Sequence, residues 1–385
     1  MEKAEKKIWR VVKALKERKE PDRVPLTDFY WSGFLANWKK ALGLPEETDI
    51  YRYYDLDVKV ISPNMDPKIE SCTILEQTED YVLFRSGFGC VVKKVFSAPM
   101  PMFLDFSVKS ADEFASFAFD NPRDDRRYFE KRCDIINCGD SFGELPSFVE
   151  EVERNKDTFC LFGSICEPYE AMWRIRGTEG LLMDLVLEKE KVKAFAERIT
   201  DFMLGIAERE IELAPLTGMI IWGDVAYDKG MFFSPKLWRE IFFPCVKRLC
   251  DFLHRHNLIV VYHGCGRSLD IFPDLIEAGI DVYNPLEAKA GMDPVELKQQ
   301  YGGRIAFFGG IDSRVLGYGT WEDIEKEVLY KLQAAYGGGY MPASDHSVAS
   351  NVDPLLYDRL VRFLKERGTY PLRLSQENDH DLRCC

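Results

Sequence analysis

From residue 157 onward, short apolar runs alternate with amphipathic stretches, and no other feature constrains the fold as much. The runs are DTFCLFGSI, GMIIWGDV, NLIVVYHGC, IDVYNPLE, GRIAFFGGID and GGYMPASDHS. Helical segments such as PKLWREIFFPCVKRLCDFLHRHN and TWEDIEKEVLYKLQAAYGGG separate them, the second opening on Thr320 with Asp323 three residues on and stopping at a glycine triplet. Continuously apolar strands in alternation with helices indicate a parallel sheet covered by helices on its outer face. Six such units in the C-terminal half predict a (β/α)8 TIM barrel, with the remaining strands upstream. Residues 68–97 alternate polar and apolar around turns at Thr78–Asp80 and Ser86–Gly89, and are read as a small antiparallel β insertion beside the barrel mouth. The chain is expected to be a single barrel domain over 1–385, with a charged N-terminal surface helix and a polar tail at 374–385.

Bulk properties narrow the function. A net charge of -13, with acidic and basic residues interleaved, offers no basic stripe for nucleic acid. No secretory signal is legible and the apolar runs are far short of a membrane span, so the expected compartment is the cytoplasm. The 11 cysteines are scattered without paired spacing, as for reduced thiols. Cys384 and Cys385 match no lipidation signal.

The strand ends carry the chemistry. They read Cys166/Glu167, Asp224, His263/Cys265, Asn284/Glu287, Asp312 and Asp345/His346. In a parallel barrel all of these lie on the one face where βα loops build active sites. Asp312 and Asp345 are equally well explained as helix N-caps. His263 and Cys265, two apart on a strand, point to the same side, and an imidazole with a thiolate suits zinc. A third ligand has to come from another strand end: Glu287, Asp345, His346, Asp224 or Glu167. The alternative is a hydrogen-bonded core histidine beside a buried thiol. In CEPYEAMWRIRG, aromatics and arginines can wall a pocket, although Glu170 and Arg174 read more simply as surface charges of an amphipathic helix.

The ordered motifs GDVAYDKGMFFSPKLWREIFFPCVKRL, YHGCG, LIEAGIDVYNPLEAKAGMDPVELKQQYGGRIAFFGGID and GGYMPASDHSVASNVDP resemble the uroporphyrinogen decarboxylase superfamily over residues 160–365. The resemblance implies a (β/α)8 barrel and two branches of chemistry. Decarboxylases of the family are metal-free and carry an arginine-rich N-terminal motif, which VPLTDFYWSGFLANWKK lacks. The cobamide-dependent methyltransferases hold zinc with an H-x-C pair, matched by His263 and Cys265, and a later cysteine, where this chain reads MPASDHS with Ser344 near the expected place. His346 is open between a substrate contact and a metal contact.

The expected function is zinc-dependent transfer of a methyl group between a small substrate, such as a methyl ether or a thiol, and a corrinoid carried by a partner protein. His263 and Cys265 are the metal ligands, Asp224, Glu287 and His346 the catalytic groups, and Glu167, Asn284 and Asp345 the substrate contacts. A homodimer fits the superfamily. The alternatives are a decarboxylase of a uroporphyrinogen-like tetrapyrrole and a non-catalytic corrinoid- or metal-binding member.

Overall fold

The computed structural model describes residues 3–98, 100–133 and 144–374. The expected polar tail, with Cys384 and Cys385, therefore lies outside the described residues from 375 on. Seven parallel strands form one sheet in chain order: β1 (Val58–Val60), β2 (Cys160–Cys166), β3 (Gly218–Trp222), β4 (Ile259–His263), β5 (Val282–Asn284), β6 (Ala306–Phe308) and β7 (Tyr340–Met341). Helices connect them, as the alternation predicts, and the (β/α)8 fold class stands.

The eighth stave is not a regular strand. Leu26 accepts from the Asp57 amide at 2.7 Å and Thr27 Oγ1 donates to the Val58 carbonyl at 2.9 Å, on the β1 side. Phe29 accepts from Val348 at 2.8 Å and Val348 accepts from Trp31 at 3.0 Å, on the side that follows β7. The extended segment around Leu26–Trp31 thus closes the ring. Pro25, which lacks an amide hydrogen, stands directly before it, and its six residues LTDFYW hold no continuous apolar run, which is why apolar patterning does not reveal it.

Side-chain alternation divides the core in two. Cys160 and Phe162, Ile259 and Val261, Ala306 and Phe308, and Met341 and Ala343 point into the barrel. Their neighbours Ile165, Ile221, Val260, Tyr262, Tyr283 and Tyr340 face the surrounding helices.

Three local expectations need correction. The N-terminal helix Lys3–Val11, continued by one wide turn to Lys16, is no surface helix: Val11, Ala14 and Leu15 enter the interior cluster and plug the N-terminal end of the barrel. The long helix after β3 is two, Pro235–Ile241 and Phe243–Arg255, because Pro244 starts the second. The antiparallel insertion is a four-stranded meander, 72–77, 81–86, 91–95 and 102–105, and so runs past residue 97. Among the described residues, no helix is long and apolar enough to cross a membrane.

Candidate active site

The strand ends converge on a cavity of about 570 Å³ between the C-terminal face of the barrel and the meander, which contributes Phe84, Phe88, Val92 and Phe103 to its wall. Asp224, His263, Cys265 and His346 also line it.

His263 and Asn284 are register partners on β4 and β5. Asn284 Nδ2 donates to the Phe308 carbonyl at 3.0 Å, which leaves Oδ1 to accept from His263 Nδ1 at 2.5 Å. The imidazole therefore carries its proton on Nδ1 and presents the Nε2 lone pair to Cys265 Sγ, 3.5 Å away. A tied Nδ1 and a free Nε2 are what a metal-binding histidine requires. Burial holds the His263 pKa below the ordinary imidazole range, so the ring is neutral. Trp222, with its ring centroid 4.5 Å from that of His263, and Phe29 at 6.4 Å wall the imidazole on its apolar sides.

The turn that presents Cys265 depends on two glycines. Gly266 has φ +79°, and a Cβ there would lie 2.7 Å from the backbone of Ala226 and Tyr227. At Gly264 a Cβ would meet the Tyr262 ring at 2.9 Å. Asp224 Oδ1 accepts from the Cys265 amide at 2.8 Å and pins this turn to the end of β3. Burial first, then the charges of Asp224 and Glu287, raise the Cys265 pKa well above its ordinary value. Sγ lies within hydrogen-bonding reach of Nε2.

Two overlapping sets of ligand atoms lie within 4.8 Å of one another: Asp224, His263 and Cys265, and Cys265, Glu287 and His346. Asp224, Glu287 and His346 are thus the candidates for the third ligand left open by the sequence. Glu287 is buried, 3.5 Å from Lys289 Nζ, and follows Leu286, a non-glycine residue held at φ +69°. His346 is exposed and stacks on Trp31 at 6.2 Å.

The other expected residues fall elsewhere. Asp345 is buried, with Oδ2 accepting from Ala288 N and Oδ1 from Ser313 N, both at 2.9 Å; it ties loops together and does not line the cavity. Asp312 is a helix cap, accepting from Arg314 N at 2.8 Å. Asn284, expected as a substrate contact, is spent on His263. Ser344, near the place of the superfamily's later cysteine, donates to Asp28 Oδ1 at 2.5 Å. Glu167 is 0% exposed and sits behind the wall: a Cβ on Gly223 would lie 2.7 Å from its Cγ. Its oxygens make no hydrogen bond of good geometry, since the neighbouring Tyr262 hydroxyl donates to the Gly223 carbonyl at 2.9 Å. Burial pushes its pKa up to about 8.

Residue-by-residue reading missed the Glu170–Arg174 pair, which is no surface feature. Glu170 is 4% exposed, Arg174 Nη2 donates to it at 2.5 Å, and both line the cavity. It also missed Phe29, Trp31 and Asp28 on the closing segment. The His263–Asn284 bond was accessible in principle, because adjacent strands ending in His and Asn place the two side by side.

The family profile described as uroporphyrinogen decarboxylase (URO-D) matches residues 122–367, more than half of the chain. Among solved structures, a methyltransferase from Methanosarcina mazei aligns with a TM-score of 0.64 at 16% identity, covering 94% of this chain and 98% of that one. A B12-independent methionine synthase from Shewanella sp. W3-18-1, in complex with selenomethionine, reaches a TM-score of 0.41 at 12% identity, covering 62% and 75%. No curated protein matches the sequence.

Proposed function

The chain belongs to the uroporphyrinogen decarboxylase family, and on that premise we propose that it is a zinc-dependent methyltransferase acting between a small substrate and a corrinoid carried by a partner protein. The observation that carries the reading is the preset donor pair: Nε2 of a neutral, oriented His263 and Sγ of Cys265, 3.5 Å apart, with carboxylates of neighbouring strand ends in reach. The M. mazei neighbour, described as a methyltransferase, supports it through the shared barrel.

The residues fit the metal. His263 Nε2, Cys265 Sγ and Asp224 supply one nitrogen, one sulfur and one oxygen, a set that zinc accepts, leaving a position open toward the cavity. Zinc bound there would supply Lewis acidity toward the oxygen, nitrogen or sulfur that bears the methyl group, and the partner's corrinoid would supply the methyl-accepting cobalt. The protein's own part is to hold and orient. Asn284 keeps the His263 proton on Nδ1, and the Cys265 proton leaves when a cation displaces it. Glu287 and His346, whose ligand atoms lie within 4.8 Å of one another and of Cys265 Sγ, would orient the substrate and hold its proton. Trp222 and Phe29 pack against the imidazole and limit how it can rotate.

The decarboxylase reading is weaker on a specific point. The lining carboxylates Asp66, Glu170 and Asp224 outnumber Arg174, which is the wrong balance for a ring that carries many carboxylates. The test is metal content of untagged protein beside Cys265→Ala, followed by methyl transfer to a reduced corrinoid. About one zinc per chain, lost in the variant together with methyl transfer, is the expected result. Full activity without bound metal would overturn the reading.

A further inference from the structure

Glu170 and Arg174 lie one turn apart on the helix Pro168–Arg176 that follows β2. Arg174 donates from Nε and Nη2 to Glu170 Oε1, at 3.0 and 2.5 Å, and Trp173 Nε1 donates to Oε2 at 2.8 Å. Both carboxylate oxygens are therefore engaged, while the hydrogens on Arg174 Nη1 meet no acceptor among the described residues. The guanidinium stands 5.4 Å from the Phe88 ring centroid and 5.3 Å from that of Trp173. Its side chain keeps 24% exposure and is part of the cavity lining. Burial opposes the charge, but the Glu170 carboxylate outweighs it and the guanidinium stays charged. Arg174, Glu170 and the donor pair His263 and Cys265 all line this one cavity of about 570 Å³.

A surface ion pair has no need of aromatic walls or of a spare donor edge. A guanidinium held by a carboxylate on one side, flanked by rings and open to a cavity on the other, is built to receive a planar anion. The number of anions is also limited. Among the described lining residues no lysine or second arginine joins Arg174, and Asp66 and Asp224 would repel a second carboxylate. Phe84, Phe88, Phe103 and Trp173 around it favour a flat apolar body.

We infer that Arg174 receives the carboxylate of a flat, singly charged substrate whose opposite end reaches His263 and Cys265. The inference rests on the methyl-transfer reading only for what happens at that opposite end. Binding can therefore be tested without corrinoid or turnover. The probes are 4-methoxybenzoate and its neutral isostere 4-methoxybenzamide, titrated calorimetrically into the full chain as purified and after metal removal. Wild type should bind the acid at least tenfold more tightly than the amide in both forms. Arg174→Gln should abolish that preference while changing amide affinity less than threefold, and Arg174→Lys should retain part of it. The inference is overturned by equal binding of the two probes to wild type, by a preference that survives in Arg174→Gln, or by a preference that vanishes on metal removal. If the glutamine variant does not fold, an undiminished preference in Arg174→Lys overturns it as well. Loss of methyl transfer with the preference intact would defeat the methyltransferase reading alone.

Discussion

The two ends of this barrel both bury charged side chains, and they treat them in opposite ways. At the N-terminal floor, Asp57 is 0% exposed, yet it accepts from Arg10 Nη1 at 2.5 Å, Arg23 Nη1 at 2.6 Å and the Leu26 amide at 2.7 Å. Arg10 is held further by Asp22, and Lys7 by Asp55 and the Leu56 carbonyl. At the mouth, Glu167 is equally buried and its oxygens accept no hydrogen bond of good geometry among the described residues, while Asp224, His263 and Cys265 bring three ligand atoms within 4.8 Å of one another. Buried charge that is completely paired fixes how the chain packs. Buried polar groups left short of partners are sites where a ligand or proton completes the set. Catalytic capacity is thus read from what the mouth leaves unfinished, relative to a floor that is finished.

Four perturbations bear on this contrast. The largest effect is expected at the donor pair: His263→Ala or Cys265→Ala should lower zinc content from about one per chain to near zero, and methyl transfer by more than ~100-fold. Thermal unfolding of the metal-free proteins should barely move, and a large drop in melting temperature would reassign the pair to the core. At the floor the reverse is expected. Asp57→Ala removes the buried carboxylate shared by Arg10 and Arg23, leaving Arg10 to Asp22 alone, at a cost of roughly 3–5 kcal/mol by urea denaturation. Zinc content per folded chain should be unchanged.

Glu167 sharpens the contrast through pH. Its folded pKa of about 8 lies above that of an unfolded glutamate, so the folded state retains a proton that the unfolded state releases. Its contribution to stability is therefore greatest below the unfolded pKa and is lost progressively as pH rises toward 8. Glu167→Gln should remove that slope, and its advantage over wild type should grow to roughly 2–4 kcal/mol at pH 8. Parallel stability curves from pH 5 to 8 would show that Glu167 has a partner after all. The smallest effect is expected at Asn284→Ala, which frees His263 Nδ1 and should weaken zinc binding by about 10–100-fold in chelator competition without eliminating it.

Much of the fold was legible in the sequence because it follows from periodicity. Strands such as Ile259–His263 are continuously apolar, and Thr320 with Asp323 forms the capping box its spacing suggests, Asp323 N donating to Thr320 Oγ1 at 3.3 Å. The nearness of His263 and Cys265 was legible from their two-residue spacing, although the strand stops at His263 and the Gly264–Gly266 turn presents Cys265. The closing segment Leu26–Trp31 was not, because it is six residues without a continuous apolar run and its hydrogen bonds reach residues more than 30 and more than 300 positions away.

Glu170 and Arg174 show the same limit at the site. An i,i+4 ion pair has the same local signature on a solvated face as in a cavity wall, and only the meander packed above it distinguishes the two. Asp345 is the converse case: a strand-end carboxylate that reads as functional was claimed by two backbone amides from other loops. The sequence by itself determined the element order, the barrel class and the donor pair, because these depend on spacings of a few residues. Tertiary structure decided which acidic groups accompany that pair, which arginine faces the cavity and which end of the barrel is left incomplete. Those outcomes depend on which distant segments meet, and no local period encodes that.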